Sequence, residues 1–202
     1  FAPISIGETT VLALIDTGSD GALALNAIVA PLDRISGVRA GTLNATISGD
    51  FPQVLGRLHA EVHVGAQAIE DPVIELTAGP TSLGGEFLQH FAATFDQRRG
   101  LLALVREDSA PAIEFTPRRS AGLVFDRTAQ GWEVVAIVPD TPAETLSVAP
   151  GDRCVRVNGE PVAAWPIERY QALLQADDAV TFTLVSGFGE REIRVPVVAL
   201  VR

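Results

Sequence analysis

The stretch Thr10-Val11-Leu12-Ala13-Leu14-Ile15-Asp16-Thr17-Gly18-Ser19 sets an uncharged apolar run directly before a short polar loop. The run from Thr10 to Ile15 predicts a β-strand. Asp16 then lies where a rigid strand gives way to a loop, so its carboxyl group has a defined position. Gly18 permits a tight backbone approach, and we expect the Thr17 hydroxyl to brace the loop and Ser19 to hydrogen-bond the carboxylate.

A carboxylate held in this way suits hydrolysis by water. Cleavage of a peptide bond requires a base that activates the water and an acid that polarises the carbonyl group. Two carboxyl groups that share one proton supply both, because like charges in contact cannot both ionise. The catalytic candidates are therefore Asp16, Thr17 and Gly18. The alternative is a strand that ends in an ordinary turn, since Asp and Gly are common turn residues.

A second stretch downstream places an apolar residue before two glycines and a helical pattern. Ser82-Leu83-Gly84-Gly85 precedes Glu86-Phe87-Leu88-Gln89-His90-Phe91, which predicts a short helix. Residues 93–96 and 101–105 then predict a hairpin. The order of these segments, together with the Asp16 motif, resembles the retropepsin-like aspartic proteases, and the bacterial members more than the viral ones. The resemblance covers roughly residues 1–106.

This resemblance implies a closed, all-β barrel lobe that carries one catalytic Asp, with a flap hairpin at residues 45–57 over the substrate. Gly21 and Gly85 depart from the family pattern. No second Asp-Thr-Gly or Asp-Ser-Gly occurs in the sequence. The dyad would therefore be completed by a second copy of the chain, as a homodimer, or by a lobe upstream of Phe1.

The second half of the chain carries different motifs. Gly122-Leu123-Val124-Phe125, and later Ala149-Pro150-Gly151-Asp152-Arg153-Cys154-Val155-Arg156-Val157-Asn158-Gly159, resemble the PDZ domains of bacterial proteases. The resemblance covers about residues 118–202, with Val124 at a position where the family has Gly. It implies that backbone N–H groups of Gly122, Leu123, Val124 and Phe125 bind a peptide C-terminus, and that the next strand accepts the peptide by strand addition.

Charged residues and prolines between 106 and 119 predict a linker. We place the domain boundary near residue 113, which yields a protease-like lobe at 1–112 and a PDZ domain at 113–202. The overall fold class is mainly β, with the closed barrel followed by a PDZ-like β-sandwich with two short helices. The strands of the PDZ domain are predicted at 121–126, 132–138, 153–157, 179–186 and 190–198.

The two helices of the second domain have distinct signals. One begins at Thr141-Pro142, with Thr141 as its cap and Pro142 at the first helical position. The other spans about 166–175 and places Ile167, Tyr170, Leu173 and Leu174 on one face. This second helix would flank the peptide groove.

Composition excludes several functions. The formal net charge is −10, and so acidic a chain is repelled by phosphate backbones, which excludes nucleic acid as an expected partner. No apolar run approaches the roughly 18 residues of a membrane span. Cys154 is the single cysteine and cannot form an internal disulfide. The sequence begins at Phe1, which leaves open a removed leader and a periplasmic or secreted location.

Three residues also suggest a zinc site as an alternative. His59, Glu61 and His63 alternate along a predicted strand, where three side chains on one face could bind zinc. No further ligand is evident, and a solvated polar strand face explains the pattern better. We therefore expect no metal and no cofactor.

Two functions remain open from the sequence. The first is an aspartic endopeptidase that acts on peptide or protein substrates and whose PDZ domain recruits or regulates them. The second is a catalytically inactive peptide-binding scaffold that uses the protease-like lobe for dimerisation.

Overall fold

A computed structural model describes residues 1–46, 49–106, 113–128 and 131–201. Within these residues the chain is mainly β, which confirms the predicted class. The chain divides into two compact units. The first comprises Phe1–Arg39, Val54–Thr116 and Val201–Arg202, and the second Ala40–Gln53 and Pro117–Leu200. The domain limits of 1–112 and 113–202 stay a prediction.

The strands of the first half of the chain are β1 (Ala2–Ile6), β2 (Thr9–Ile15), β3 (Leu23–Asn26), β4 (Ile35–Thr46), β5 (Gly49–Leu58), β6 (Val62–Val64), β7 (Gln67–Ile69), β8 (Val73–Thr77), β9 (Ser82–Leu83), β10 (Ala92–Asp96) and β11 (Leu101–Val105). A 3₁₀ turn spans Leu32–Arg34, and helix α1 spans Gly85–Leu88. The predicted flap at 45–57 comprises the last two residues of β4 and all of β5 except its last residue, and its residues 47–48 lie outside the described residues.

Nine of these strands form one sheet in the described part of the chain, in the order β4-β5-β8-β3-β9-β2-β1-β6-β7. The strands β10 and β11 pair separately with each other. Inward-facing apolar residues from many strands form the core of the first unit, which includes Ile4, Ala13, Leu25, Leu58, Val62, Ile74, Leu83 and Phe87. The closed barrel implied by the resemblance stays a prediction.

The short strand β9 matters most for the candidate site. It pairs in parallel with β2, where Ile15 lies opposite Leu83. It pairs antiparallel with β3, where Leu23 also lies opposite Leu83. Consecutive strands β2 and β3 are thus separated by a strand from far along the chain. The loop that joins them, which contains Asp16, must therefore pass the end of β9.

The second half of the chain contains β12 (Arg119–Ser120), β13 (Leu123–Thr128), β14 (Gly131–Ile137), β15 (Arg153–Val157), β16 (Glu160–Pro161), β17 (Ala179–Ser186), β18 (Gly189–Pro196) and β19 (Val198–Ala199). A 3₁₀ turn spans Pro142–Thr145 and helix α2 spans Ile167–Ala176. The main sheet runs β13-β14-β15-β17-β18, with β16 on β15, while β12 pairs with β19. The strand β13 therefore lies at one edge of the sheet.

An aromatic core holds α2 against this sheet. The ring of Tyr170 lies 5.3 Å from that of Trp132 and 5.9 Å from that of Phe125. Tyr170 and Leu174 are buried and Leu173 is half-buried, as the predicted helical face requires. The side chain of Ile167 lies outside the described part of the chain. No helix in the described residues is long and apolar enough to cross a membrane.

The predicted cap at Thr141 is wrong in its contacts. Thr141 does occupy the position before the turn at Pro142–Thr145, but its side chain makes no cap hydrogen bond there. Its hydroxyl instead donates to the carbonyl oxygen of Val138 at 2.7 Å. The reason is burial, because a buried hydroxyl needs a partner and the nearest free carbonyl lies behind it.

Candidate functional site

The Asp16 carboxylate lies at the end of β2 and is half-buried. Its oxygen Oδ1 accepts a hydrogen bond from the Gly18 N–H at 3.0 Å. The Asp16 N–H donates to the Leu83 carbonyl oxygen at 2.9 Å, which continues the pairing of β2 with β9. Asp16 is thus anchored through its backbone to a buried strand, while its side chain stands over an exposed turn.

Three successive N–H groups at the start of α1 hold the far side of this loop. The N–H of Gly84 donates to Ala22 at 3.1 Å, that of Gly85 to Ser19 at 2.7 Å, and that of Glu86 to Gly21 at 3.1 Å. These bonds satisfy donors that a helix start leaves without intrahelical partners. The same bonds fix the carbonyl groups of the loop that carries Asp16.

The two glycines are required by this close approach. A Cβ atom on Gly84 would lie 2.3 Å from the Gly21 carbonyl oxygen, and one on Gly85 would lie 3.0 Å from the Ser19 carbonyl oxygen. The first distance is far inside van der Waals contact. Gly85 therefore has a local reason in this chain: it lets the start of α1 approach the loop backbone closely.

Two predicted side-chain contacts differ from what is seen. The Ser19 hydroxyl accepts a hydrogen bond from the Gly21 N–H at 3.2 Å, so the Asp16 carboxylate is served by a backbone N–H and not by Ser19. A hydroxyl two residues before an amide readily closes a local turn, which competes with the longer reach to the carboxylate. Thr17 is exposed, and its hydroxyl makes no hydrogen bond to a described residue.

The side chains of the predicted zinc alternative contact different partners. His59 Nε2 lies 2.6 Å from the Ser36 hydroxyl, whereas His63 Nε2 lies 3.0 Å from Glu61 Oε2. The residues from 59 to 61 also lie outside any strand, so they do not alternate on one face. Among the described residues, no group of three metal-ligating side chains is assembled.

The Gly122 loop is built differently, from side chains and a special backbone conformation. Gly122 has φ of +79°, the left-handed region that favours glycine. Its N–H donates to the Ser120 hydroxyl at 2.9 Å, and its carbonyl accepts from the Val138 N–H at 2.8 Å. A Cβ atom here would lie 2.1 Å from the Thr141 hydroxyl oxygen. Ser120 and Thr141 therefore shape the loop.

The sequence interpretation missed this role of Ser120 and Thr141. Both are buried polar residues, and their burial cannot be read from the sequence. One signal was present: a serine two residues before a glycine is typical of a turn closed by its hydroxyl.

The predicted binding strand follows directly after the loop. Leu123 is buried, Val124 and Phe125 are half-buried, and the rest of β13 is exposed. One edge of β13 pairs with β14, and its other edge pairs with no described strand. A free edge beside a helix is the arrangement that strand addition uses.

Two ionisable groups in the hydrophobic core of the second unit are kept neutral by burial. Burial raises the pKa of the Cys154 thiol from 9.0 to about 12, and its Sγ donates to the Arg156 carbonyl. Burial, with a smaller contribution from Cys154, also raises the pKa of the Tyr170 hydroxyl. A thiol of this kind is a packing group and not a nucleophile at neutral pH.

A comparison with protein families decides the nature of this second unit. Residues 133–186 match the family model described as PDZ domain. The chain contains a PDZ domain. The matched residues begin within β14 and reach the end of β17, so they include α2, while Gly122, Leu123, Val124 and Phe125 lie before them.

Other comparisons add little to the PDZ assignment. The crystal structure of a PDZ domain protein from Parabacteroides distasonis aligns with 40% of this chain and 20% of its own chain, at 19% identity and a TM-score of 0.34. No curated protein matches the sequence. The roles of the Asp16 loop and of the residues from Gly122 to Phe125 therefore stay predictions.

Proposed function

We propose that this chain is an aspartic endopeptidase in which Asp16 and a second Asp share one proton, and that its PDZ domain binds the C-termini of peptide or protein substrates. The observation that carries the proposal is the bracing of the Asp16 loop. Strand β9 lies between β2 and β3, and the N–H groups that follow it bind the carbonyls of Ser19, Gly21 and Ala22. This support, from a segment more than sixty residues away, gives the Asp16 carboxylate the fixed position that general acid–base chemistry needs.

The reaction follows from two carboxyl groups of which one is ionised. The carboxylate takes a proton from water as the water oxygen bonds to the carbonyl carbon of the peptide. The protonated partner donates its proton to the carbonyl oxygen, which yields a tetrahedral diol. Collapse of the diol breaks the C–N bond as a carboxyl group protonates the leaving nitrogen, and the products are a new C-terminal carboxyl group and an amine.

The second Asp has two sources, a second copy of this chain or a lobe upstream of Phe1. In a two-fold dimer each copy contributes the same loop. The exposed position of Thr17 and Gly18 leaves the Asp16 turn accessible to a second loop. The same exposure allows an extended peptide to approach.

The PDZ part of the proposal rests on the matched family and on the free edge of β13. A peptide would extend the sheet by backbone hydrogen bonds, and its C-terminal carboxylate would lie at the N–H groups of the Gly122 loop. Binding there would tether a substrate to the chain that carries the Asp16 loop and raise its effective concentration.

The test replaces Asp16 by Asn. We expect cleavage of an unfolded protein substrate, followed by mass spectrometry from acidic to neutral pH, to fall by at least about a hundredfold. Asp20→Asn is the matched control, since Asp20 is exposed in the same loop, and it should retain activity. Equal cleavage by the Asp16→Asn variant would refute the proposal.

A mixing experiment identifies the source of the second Asp. If two copies share the site, an equal mixture of wild-type chain and the Asp16→Asn variant should show about a quarter of the activity of wild type at the same total concentration. The reason is that only wild-type pairs hold both carboxylates. Independent active chains would retain about half.

A second function is favoured by the PDZ match itself, which concerns residues outside the Asp16 lobe. In this alternative the chain binds peptides and hydrolyses none. Peptide binding that is equal in the wild type and in Asp16→Asn, with no cleavage by either at any pH tested, would establish it.

A further inference from the structure

The free edge of β13 carries an unusual charge next to its binding position. Phe125 points toward the core, where its ring lies 5.6 Å from Phe182. Side chains alternate along a strand, so the next residue, Asp126, points to the opposite face of the sheet. Its partner on β14 is Glu133, and both residues are exposed. Two carboxylates therefore stand side by side at the edge of the sheet.

Like charges directly opposite each other on neighbouring strands are unfavourable. Within the described residues, Asp126 forms no ion pair, and its one hydrogen bond comes from the Arg127 N–H at 2.8 Å. Glu133 has a cation on its other side, because it lies opposite Arg153 of β15. Asp126 has a neighbouring strand on one side only, because no described strand pairs with the other edge of β13.

From this juxtaposition we propose that the PDZ domain selects peptides with a basic penultimate residue, through Asp126 and with support from Glu133. This inference rests on the proposed binding of peptide C-termini at β13. It goes further in naming the class of ligand and the residue that selects it.

The register of a bound peptide follows from the position of its carboxylate. If that carboxylate lies at the N–H groups of the loop before Phe125, the last residue of an antiparallel peptide lies opposite Phe125, with its side chain directed toward the core and α2. The penultimate residue then lies opposite Asp126, and its side chain shares the outer face with Asp126 and Glu133. Directly opposite residues on antiparallel strands have Cβ atoms about 5 Å apart.

Distance decides which charges the penultimate side chain senses. Neighbouring strands are about 4.8 Å apart, so Asp126 is one strand away, Glu133 two strands and Arg153 three. The Debye length is about 8 Å at physiological salt. Asp126 therefore acts most strongly, Glu133 more weakly, and Arg153 least. Arg127 alternates to the other face of β13 and does not share this surface.

A hollow of about 500 Å³ opens on this side of the sheet, beyond Asp126 in the direction of β17. Its lining includes Thr128, Glu133 and Arg153 but not Asp126. A Lys or Arg side chain can lay its aliphatic stem along such a surface while its charged end reaches a carboxylate.

The experiment selects from a library of heptapeptides with free C-termini and random last five positions, displayed to the full chain. We expect enrichment of Lys and Arg at the penultimate position. In fluorescence titrations at low salt, a selected peptide with penultimate Lys should bind about fivefold more tightly than the same peptide with Glu there. The ratio should shrink as salt is raised.

Charge reversal then assigns the preference to one residue. Asp126→Arg should invert the preference toward penultimate Glu, and Asp126→Asn, a milder change, should remove it. Glu192→Arg is the matched control, because Glu192 is exposed on β18 at the opposite edge of the same sheet. It changes the net charge equally and should keep the preference for Lys.

The outcomes separate this inference from the proposed function. Selected peptides that bind through their free C-termini without a basic penultimate preference, or a preference that survives both Asp126 variants, overturn the inference and leave peptide binding intact. If the library yields no peptide that binds, the proposed peptide binding falls and the inference falls with it.

Discussion

The two candidate loops of this chain both depend on glycine, but they are held by different means. The Asp16 loop is joined to α1 through backbone groups, where the N–H groups of Gly84, Gly85 and Glu86 donate to its carbonyls. The Gly122 loop is held largely by side chains, where Ser120 and Thr141 enclose a glycine with positive φ.

The difference has a physical consequence. Backbone carbonyls cannot rotate away from an intruding side chain. At Gly122 the Thr141 hydroxyl can change rotamer, but the Cβ atoms of Thr141 and Ala143, each 2.8 Å from the position of an added Cβ, cannot. The Asp16 loop should therefore tolerate almost no change at its contact with α1, although its own side chains are exposed. The Gly122 loop should be sensitive first to backbone conformation and then to packing.

The largest expected effect is that of Gly84→Ala. The new Cβ would lie 2.3 Å from the Gly21 carbonyl oxygen, so either the loop or α1 must shift. We expect the first unit to lose about 3 kcal/mol of unfolding free energy, measured by urea denaturation, and peptide binding by the PDZ domain to remain.

The control for this change is Gly79→Ala in the same unit, where the nearest atom to a Cβ lies at 3.4 Å, an ordinary contact. It should change stability by less than about 0.5 kcal/mol. If the two variants were equally stable, the close approach would not be what holds the Asp16 loop.

A somewhat smaller effect is expected for Gly122→Ala. Gly159 has nearly the same conformation, with φ of +81° against +79°, but no atom lies within 4 Å of its Cβ position. Gly159→Ala should therefore report the conformational cost alone, about 1 kcal/mol, and Gly122→Ala should cost about 1 to 2 kcal/mol more because of Thr141. Equal losses in thermal denaturation of the two variants would show that the packing against Thr141 is unimportant.

The third effect is absent at neutral pH and arises only in alkaline solution, where it separates the two units. Burial raises the pKa of Cys154 from 9.0 to about 12, so the native state keeps a proton that the unfolded chain releases. The resulting stability is fully present below pH 9 and is lost as the pH rises toward about 12. We expect denaturation midpoints of the PDZ domain to fall over this window.

Replacing Cys154 by Ala should flatten this decline. The loss of stability that remains in this variant should begin nearer pH 10, where the tyrosine of the unfolded chain starts to ionise. It is expected because burial also raises the pKa of Tyr170. An identical pH profile for wild type and Cys154→Ala would contradict the assignment to the thiol.

Much of the fold could be predicted from the sequence where local pattern and packing agree. The predicted strands at 153–157 and 179–186 coincide with β15 and β17, and the predicted helix at 166–175 differs from α2 by one residue at each end. Alternating or continuous apolar runs bounded by turn residues mark such elements clearly. The helix predicted from Glu86 is shorter than expected and is already complete at Leu88.

The contacts of the polar side chains were less predictable. Ser19 was expected to bind the Asp16 carboxylate and binds the Gly21 N–H, and Thr141 was expected to cap a helix and binds Val138. A hydroxyl has several partners within reach, and the choice depends on burial and on distances of a few tenths of an ångström.

The sequence by itself determined the mainly β class, the position of Asp16 at a strand end and the PDZ character of the second half, because each of these follows from residue types at short spacing. Only the tertiary structure decided that β9 separates β2 from β3, that Gly84 and Gly85 meet the loop backbone, and that Asp126 stands beside Glu133 at a free edge. These are contacts between residues distant in sequence, or between strands whose register depends on the packing of the whole sheet. The opening motif therefore predicts a positioned carboxylate, and the packing around it determines what holds that carboxylate in place.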